Sequence, residues 1–184
     1  MGSVFDAIAG RRSIRKYEDR QILKEELDTI LKAGMLAPSA SNRQPWHFVV
    51  MQDRDLIEEV NDAILDAMQK RGGAYAATAA KKPDYAPLFH APTVILVCGV
   101  KDNRWSYGDC GLAAQNMALA AHELGIGSCM VGFIRSILDE EAYAPVVSKL
   151  QIPEGYELHY AFTFGYPMES PDARKRDFDK VTYL

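Results

Sequence analysis

Hydrophobic and polar positions alternate between helical and strand spacing along this chain. Val4, Phe5, Ile8 and Ala9 share one stripe, which predicts a short helix over residues 3–10. Leu27, Ile30, Leu31 and Met35 repeat at helical spacing, and Glu25 and Glu26 sit in the first turn, where the helix dipole favours anions. With Pro38 just beyond, they predict a helix over about 24–35. Residues 46–51 (WHFVVM), entered from Pro45, read as a buried strand. An amphipathic stretch over about 55–70, closed by Gly72 and Gly73, reads as a further helix. Residues 73–92 are rich in Ala and Pro and carry Tyr75, Tyr85 and Phe89. A stretch this irregular is either a lid or binding loop, its aromatic rings covering a substrate or simply packing, or a plain surface excursion. Residues 93–100 (TVILVCGV) form a fully apolar strand.

The next helix, about 107–124, is the most informative. Cys110, Ala113, Ala114, Met117, Ala121 and Leu124 make one stripe, while Leu112 and Leu119 occupy another. A helix apolar on most sides is buried in a core or against another subunit, and its small residues permit close approach. A short strand over 128–132, a helix or turn over 139–150 and a strand over 157–164 follow. Gly165-Tyr166-Pro167 then breaks the pattern, and the last 17 residues are polar. Strands with helices between them indicate an α/β or α+β sandwich. No repeat or linker divides the chain, so residues 1–184 read as one domain.

Composition narrows the function classes. The chain has 184 residues, 48% hydrophobic and 25% charged, with 21 basic against 25 acidic side chains and a net charge of −4. That balance argues against a nucleic-acid binder, which carries a basic excess over a face. No apolar run approaches the roughly 18 residues a membrane-spanning helix needs. The start of the chain shows no apolar segment behind a basic one, as a secretory signal would, and Asp6 breaks the myristoylation pattern. Cys98, Cys110 and Cys129 are odd in number and widely spaced, so neither a disulfide framework nor a zinc site follows. They read as buried thiols of a protein in a reducing cytoplasm.

Chemistry concentrates in three polar segments. Arg11, Arg12, Arg15 and Lys16 place four cations, with the Ser13 hydroxyl, within six residues of an acidic chain. Guanidinium forks match phosphate oxygens, although a short basic cluster is equally a solvated turn. Pro38-Ser39-Ala40-Ser41-Asn42-Arg43-Gln44-Pro45-Trp46 crowds hydroxyls and amides between a helix and a strand, suited to the edge of a planar heterocycle or to a self-satisfied turn. Arg174-Lys175-Arg176 forms a basic tail, a composition ordinarily left in solvent.

In this chain order, RRSIRKY, APSASNRQPWHFVV, GLAAQNMALAAHELGIG followed by SCMVG, and FGYP with a basic tail resemble the nitroreductase family of FMN-dependent oxidoreductases over nearly the whole chain. The resemblance implies an α+β, three-layer α/β/α sandwich with a central, mostly antiparallel sheet, intertwined as a homodimer with FMN at the subunit interface. It implies that Arg11, Arg12, Ser13 and Arg15 contact the phosphate and ribityl chain. Pro38, Ser39, Ser41, Asn42 and Gln44 match the segment that reaches the flavin, in part from the partner subunit. Val131 and Gly132 match the stretch beside the isoalloxazine, and Arg174 and Arg176 a basic pair returning to the phosphate, with Lys175 an alternative to either. The helix over 107–124 becomes the central dimer contact. The chain is short for the family, so insertions that shape substrate choice are missing or replaced by residues 73–92.

The implied activity is ping-pong transfer from NADH or NADPH to a nitroaromatic, a quinone or a related small acceptor. Reductive dehalogenation, flavin or ring modification, and a non-enzymatic flavin carrier remain as alternatives on the same segments. FMN carries the redox chemistry, so no protein nucleophile or metal is required, and His47, His90, His122 and His159 read as structural or exposed. Gly125-Ile126-Gly127 follows a helix and its spacing fails the dinucleotide fingerprint, and no phosphate-binding P-loop is present.

Overall fold

Strands β1 (Trp46–Met51), β2 (Thr93–Val100), β3 (Gly127–Val131) and β4 (Tyr156–Gly165) form one sheet in the order β1-β2-β4-β3. Every pairing is antiparallel. The computed structural model describes residues 4–79, 81, 84–138 and 140–184. Ser3 and Asp139, expected at element starts, and the side chain of Tyr75 lie outside the described residues.

Both faces of the sheet are covered, which is why β2 is apolar at consecutive positions rather than alternate ones. On one face Val94, Leu96, Cys98, Leu158 and Ala161 pack with Ile57, Val60 and Ile64 of α3 (Arg54–Arg71) and Val146 of α6 (Ala144–Lys149). On the other, Ile95, Val97, Phe162 and Phe164 pack with Ile30 of α2 (Lys24–Met35) and with Cys110, Ala114, Met117, Ala118 and Ala121 of α5 (Ser106–Glu123). This is the expected three-layer arrangement. Each fully buried aliphatic side chain contributes about 1.5–3 kcal/mol relative to an exposed one, so the two cores hold the layers together.

Local chemistry sets the helix ends. The Asp53 carboxylate accepts from the main-chain N–H of Asp55 and Leu56, capping α3. The Leu23 N–H donates to the Glu26 carboxylate at 2.8 Å at the start of α2. Pro145 falls in the first turn of α6, where its missing N–H costs nothing.

One element differs from the sequence reading. Within residues 73–92 a helix, α4 (Ala74–Ala79), forms where irregular chain was expected; six residues are too few to display a period. Downstream of it Ala86, Leu88 and Ala91 are buried, and the Leu88 N–H donates to the Asn61 side chain at 2.8 Å, so this part is anchored to the core. The short helix α1 (Val4–Gly10) is present as expected, with its apolar stripe largely exposed: Val4 and Phe5 are each 75% exposed. The helix or turn expected over 139–150 is present as a 3-10 turn, Glu141–Tyr143, leading into α6.

The β2–β4 register slips between Val97 and Cys98. Leu158 pairs with Cys98 and Tyr160 with Val97, leaving His159 as the extra residue of a bulge. His159 Nε2 lies 3.3 Å from the Ser106 hydroxyl, Tyr107 packs edge-on against the ring, and Nδ1 is buried without a partner. Burial pulls this imidazole below its ordinary value; Glu157 raises it and Arg135 lowers it further. The unfolded chain therefore binds the proton more readily. Fold stability is expected to fall as pH drops below the ordinary value of 6.5, a loss that His159→Gln removes. Urea unfolding at several pH values reads this directly.

Cys98, Cys110 and Cys129 are unpaired and buried, and burial pushes the Cys98 and Cys110 thiols up to about 12. Among the described residues no helix is long and apolar enough to cross a membrane.

Candidate functional site

The arginine segment leaves α1 and runs alongside β3. Ser13 bridges Ser128 in parallel, and the Ile14 N–H donates to the Ser128 carbonyl at 3.0 Å. Close approach requires a glycine opposite: a Cβ on Gly127 would lie 2.9 Å from Ile14. Ile14 and Tyr17 are buried and pin the segment, leaving Arg11, Arg12 and Ser13 half-buried and Arg15 exposed.

The Tyr17 hydroxyl donates to the Ile14 carbonyl at 2.5 Å and lies 2.8 Å from the Thr163 hydroxyl. Burial raises this phenol well above its ordinary range, so it stays a neutral donor. Tyr17→Phe leaves the Ile14 carbonyl without its donor and is expected to destabilise the fold by about 1–3 kcal/mol, measurable by urea unfolding.

The four polar side chains of this segment have different fates. Arg12 Nη1 donates to the carbonyls of Ala9 at 2.6 Å and Arg11 at 2.9 Å, so this cation is engaged at the C-terminal end of α1, where positive charge is favoured. Arg15 Nη1 donates to the Ser13 carbonyl at 3.2 Å, its guanidinium lies 5.7 Å from the Phe89 ring centroid, and its main-chain N–H donates to the Glu169 carboxylate. Arg11 stands apart: its Nε is buried with no hydrogen-bond partner among the described residues. A buried unpartnered donor costs about 1–3 kcal/mol, more when charged, which is the state of a side chain placed for an anion. Ser13 lies beside Cys129, whose thiol is raised by burial and lowered in part by Arg15, Ser13 and Arg11.

A cleft of about 220 Å³ opens here, walled by Arg11, Arg12, the Gly125–Ser128 turn and the first tail residues Pro167–Pro171. A larger cleft of about 940 Å³ lies toward Arg15, Tyr85, Phe89 and Met168, and Glu169 borders both.

The second segment is strained and braced. Ser41, Asn42 and Gln44 take positive φ values of 53°, 52° and 48°, each costing about 1–3 kcal/mol in a non-glycine residue, a cost that clusters at functional sites. Ser39 Oγ accepts from the Gln44 N–H at 2.9 Å, and the Gln44 amide donates to Asn42 Oδ1 at 3.0 Å. Both oxygens of Asp109, a buried carboxylate on α5, accept from the Ala40 N–H at 3.2 and 3.3 Å. Pro38, Ser41 and Asn42 are exposed, and among the described residues the Ser41 hydroxyl has no partner. The loop presents its polar edge outward.

At the end of β3 the Val131 side chain is buried in the core, so any ligand contact from it comes through the main chain. Gly132 is exposed, with nothing within 4 Å of where a Cβ would stand. Arg174 and Arg176 lie on the exposed tail, where Arg176 Nη1 donates to the Arg174 carbonyl at 3.3 Å; neither borders the arginine cleft.

The two main segments do not meet within one chain. The loop is tied to α5 at Asp109, whereas Gly10 packs on His122, a Cβ there lying 2.7 Å from Nε2. Thirteen residue steps of helix separate these anchors, about 20 Å along the axis. The residues that sequence reading missed are the positioning ones, Asp109 for the loop and Ser128 and Gly127 for the arginine segment. A carboxylate in the first turn of a largely apolar helix was the available signal for Asp109.

The sequence model of the Nitroreductase family matches residues 8–166. A protein of Archaeoglobus fulgidus, provisionally named an NADH dehydrogenase/NAD(P)H nitroreductase, is 36% identical over 172 residues, covering 91% of this chain and 87% of its own. Two nitroreductase crystal structures with bound FMN superpose closely. That from Bacteroides fragilis has a TM-score of 0.89 at 28% identity and covers 100% of both chains. That from Desulfitobacterium hafniense has a TM-score of 0.90 at 26% identity and covers 100% of this chain and 99% of its own. With the layers, the braced loop and the buried arginine already in place, these matches settle the assignment: the chain belongs to the nitroreductase family.

Proposed function

We propose that the protein is an FMN-dependent oxidoreductase that takes reducing equivalents from NADH or NADPH and delivers them to small acceptors such as nitroaromatics or quinones. The observation that carries this reading is the buried Nε of Arg11, unpartnered among the described residues, in a cleft that Arg12 also lines. A phosphate group satisfies that donor, so the residues present fit the FMN tail. Bound FMN supplies the electron transfer, and the chain needs no nucleophile of its own.

The residues divide the remaining work. Arg11, with Arg15 and Ser13, holds the anionic tail, while Arg12 fixes the end of α1 and sets the direction of the segment. The Ser41 hydroxyl and the Asn42 amide meet the polar edge of the ring system, on a loop whose internal hydrogen bonds keep it from collapsing inward. The main chain at Val131 and Gly132 runs beside the ring, and the missing Cβ at 132 leaves room for it. Arg174 and Arg176, which do not border the arginine cleft in this chain, add positive charge to the phosphate only if the exposed tail folds over it. Reductant and acceptor use one open face in alternation, which gives ping-pong kinetics.

We also infer a homodimer with one FMN at each of two interfacial sites. The separation of the two segments along α5 supports it, because anchors about 20 Å apart on one chain leave each segment placed to serve a different flavin. Large apolar side chains left half-exposed or more in their own chain support it too: Phe5 of α1, Met35 and Leu36, and Leu112 of α5. The three buried thiols fit residence in the cytoplasm.

The purified protein is expected to be yellow and to consume NAD(P)H when given a nitroaromatic or a quinone. A colourless preparation that rejects added FMN would overturn the reading. Bound flavin that NAD(P)H fails to bleach would turn it into a carrier. Faster reaction with a halogenated phenol than with a nitro compound would move it to reductive dehalogenation.

A further inference from the structure

Just beyond the strained loop, a groove of about 530 Å³ runs between Arg43 and Pro45 on one side and Val100–Trp105 on the other. Arg43 is the variable position of the SNxQPW motif, so the resemblance assigns it nothing. Its side chain is exposed, and among the described residues it forms no ion pair. The Arg104 guanidinium lies 4.4 Å from the centroid of the Trp105 ring and likewise has no carboxylate partner among the described residues. Trp105 is 51% exposed at the head of α5. Its position is held by the Asn103 side chain, whose Oδ1 accepts from the Trp105 N–H at 3.1 Å, and by the Asn103 carbonyl, which accepts from the Ser106 N–H at 2.9 Å. Asp102, at a positive φ of 57°, is the one acidic residue bordering the groove.

Two uncommitted guanidiniums in a chain of net charge −4, beside a large exposed indole, form a recognisable combination. Guanidinium stacked flat on an aromatic ring keeps its N–H edge free for phosphate oxygens. The indole offers a π-face for a purine, and a neighbouring carboxylate suits a ribose hydroxyl or an exocyclic amine. The volume falls in the range of ordinary small-molecule sites. The groove also begins where the proposed flavin-contacting loop ends, within reach of a ligand whose other half lies on the flavin.

We propose that this groove binds the phosphorylated adenosine half of the nicotinamide reductant, Trp105 stacking on adenine and Arg43 and Arg104 pairing with its phosphates, which makes NADPH the preferred donor over NADH. The assignment of the ligand rests on the reading of the protein as a nicotinamide-dependent flavin reductase. Binding in the groove itself does not require flavin.

Adenosine 2′,5′-bisphosphate, which carries the adenosine phosphates and no nicotinamide, is titrated into the flavin-loaded protein while tryptophan fluorescence is followed. Saturable quenching is expected, abolished by Trp105→Phe. Arg43→Ala and Arg104→Ala are each expected to weaken the bisphosphate about tenfold or more, with Arg104→Lys in between, because each removes charge-assisted hydrogen bonds. Adenosine 5′-monophosphate is expected to bind about tenfold more weakly than the bisphosphate. In steady state the two alanine variants are expected to lower the ratio of kcat/KM for NADPH over NADH about tenfold, through KM rather than kcat.

The proposal falls if the bisphosphate does not bind saturably, if it binds the arginine variants as tightly as the parent, or if that ratio does not move. A parent protein that holds FMN and oxidises NADPH under those outcomes keeps its function and loses only the groove. A parent that takes up no FMN loses the proposed function, while the fluorescence titration still reports on the groove.

Discussion

Replacing Arg11 by alanine is expected to strip FMN from the protein and leave the fold intact. The variant loses charge-assisted hydrogen bonds worth about 1.5–3 kcal/mol, which weakens flavin binding about 10- to 150-fold. The stability of the flavin-free protein is expected to hold or rise. In the parent the Arg11 Nε is buried without a partner, so alanine removes an unsatisfied donor rather than a contact. Arg12→Ala is expected to behave in the opposite way, lowering stability more than flavin affinity, since Arg12 already donates to the carbonyls of Ala9 and Arg11. Arg15→Ala falls between them, because part of its guanidinium serves the Ser13 carbonyl. Visible absorbance after dialysis, set beside urea unfolding of the flavin-free variants, separates the three. An Arg11→Ala protein that stays as yellow as its parent would remove the phosphate assignment.

Mixing two inactive variants is expected to restore activity. In the proposed dimer each flavin takes Arg11 from one chain and Asn42 from the other. Arg11→Ala and Asn42→Ala homodimers therefore each carry two damaged sites. A mixed dimer of the two gathers both defects into one site and leaves the other intact, so flavin content and turnover should approach half those of the parent. The physical ground is the distance along α5, from the loop anchor at Asp109 to the packing of His122 on Gly10, about 20 Å. Chains mixed after brief denaturation, or co-expressed with different tags, allow the comparison. Restoration absent from a verified mixed dimer would place both segments on one flavin within one chain. Leu112→Arg, a charge on the exposed face of α5 remote from the arginine cleft, is expected to give monomers that lose flavin, seen by sedimentation and absorbance together.

The layers of the fold were legible wherever a pattern was long enough to have a period. The helix over 24–35 and the strands over 46–51 and 93–100 appear at the expected positions, because their apolar spacing reflects the surfaces they bury. The six residues of α4 gave no such signal, and neither did the bulge at His159, which arises from how two strands register rather than from either alone. The site was legible as composition. Arginines, serines and amides could be named, but their alternatives stayed open until the motifs were taken together.

Residue type and order along the chain were sufficient for the family, the α+β class and the segments that carry the chemistry, because those depend on local spacing and on which donors are present. Which of the arginines is free depended on tertiary structure. Arg11 and Arg12 are neighbours of identical chemistry, and only the packed end of α1 commits one to carbonyls while burying the other unpartnered. The placement of the two polar segments at opposite ends of α5 likewise follows from through-space packing, which no spacing along the sequence encodes.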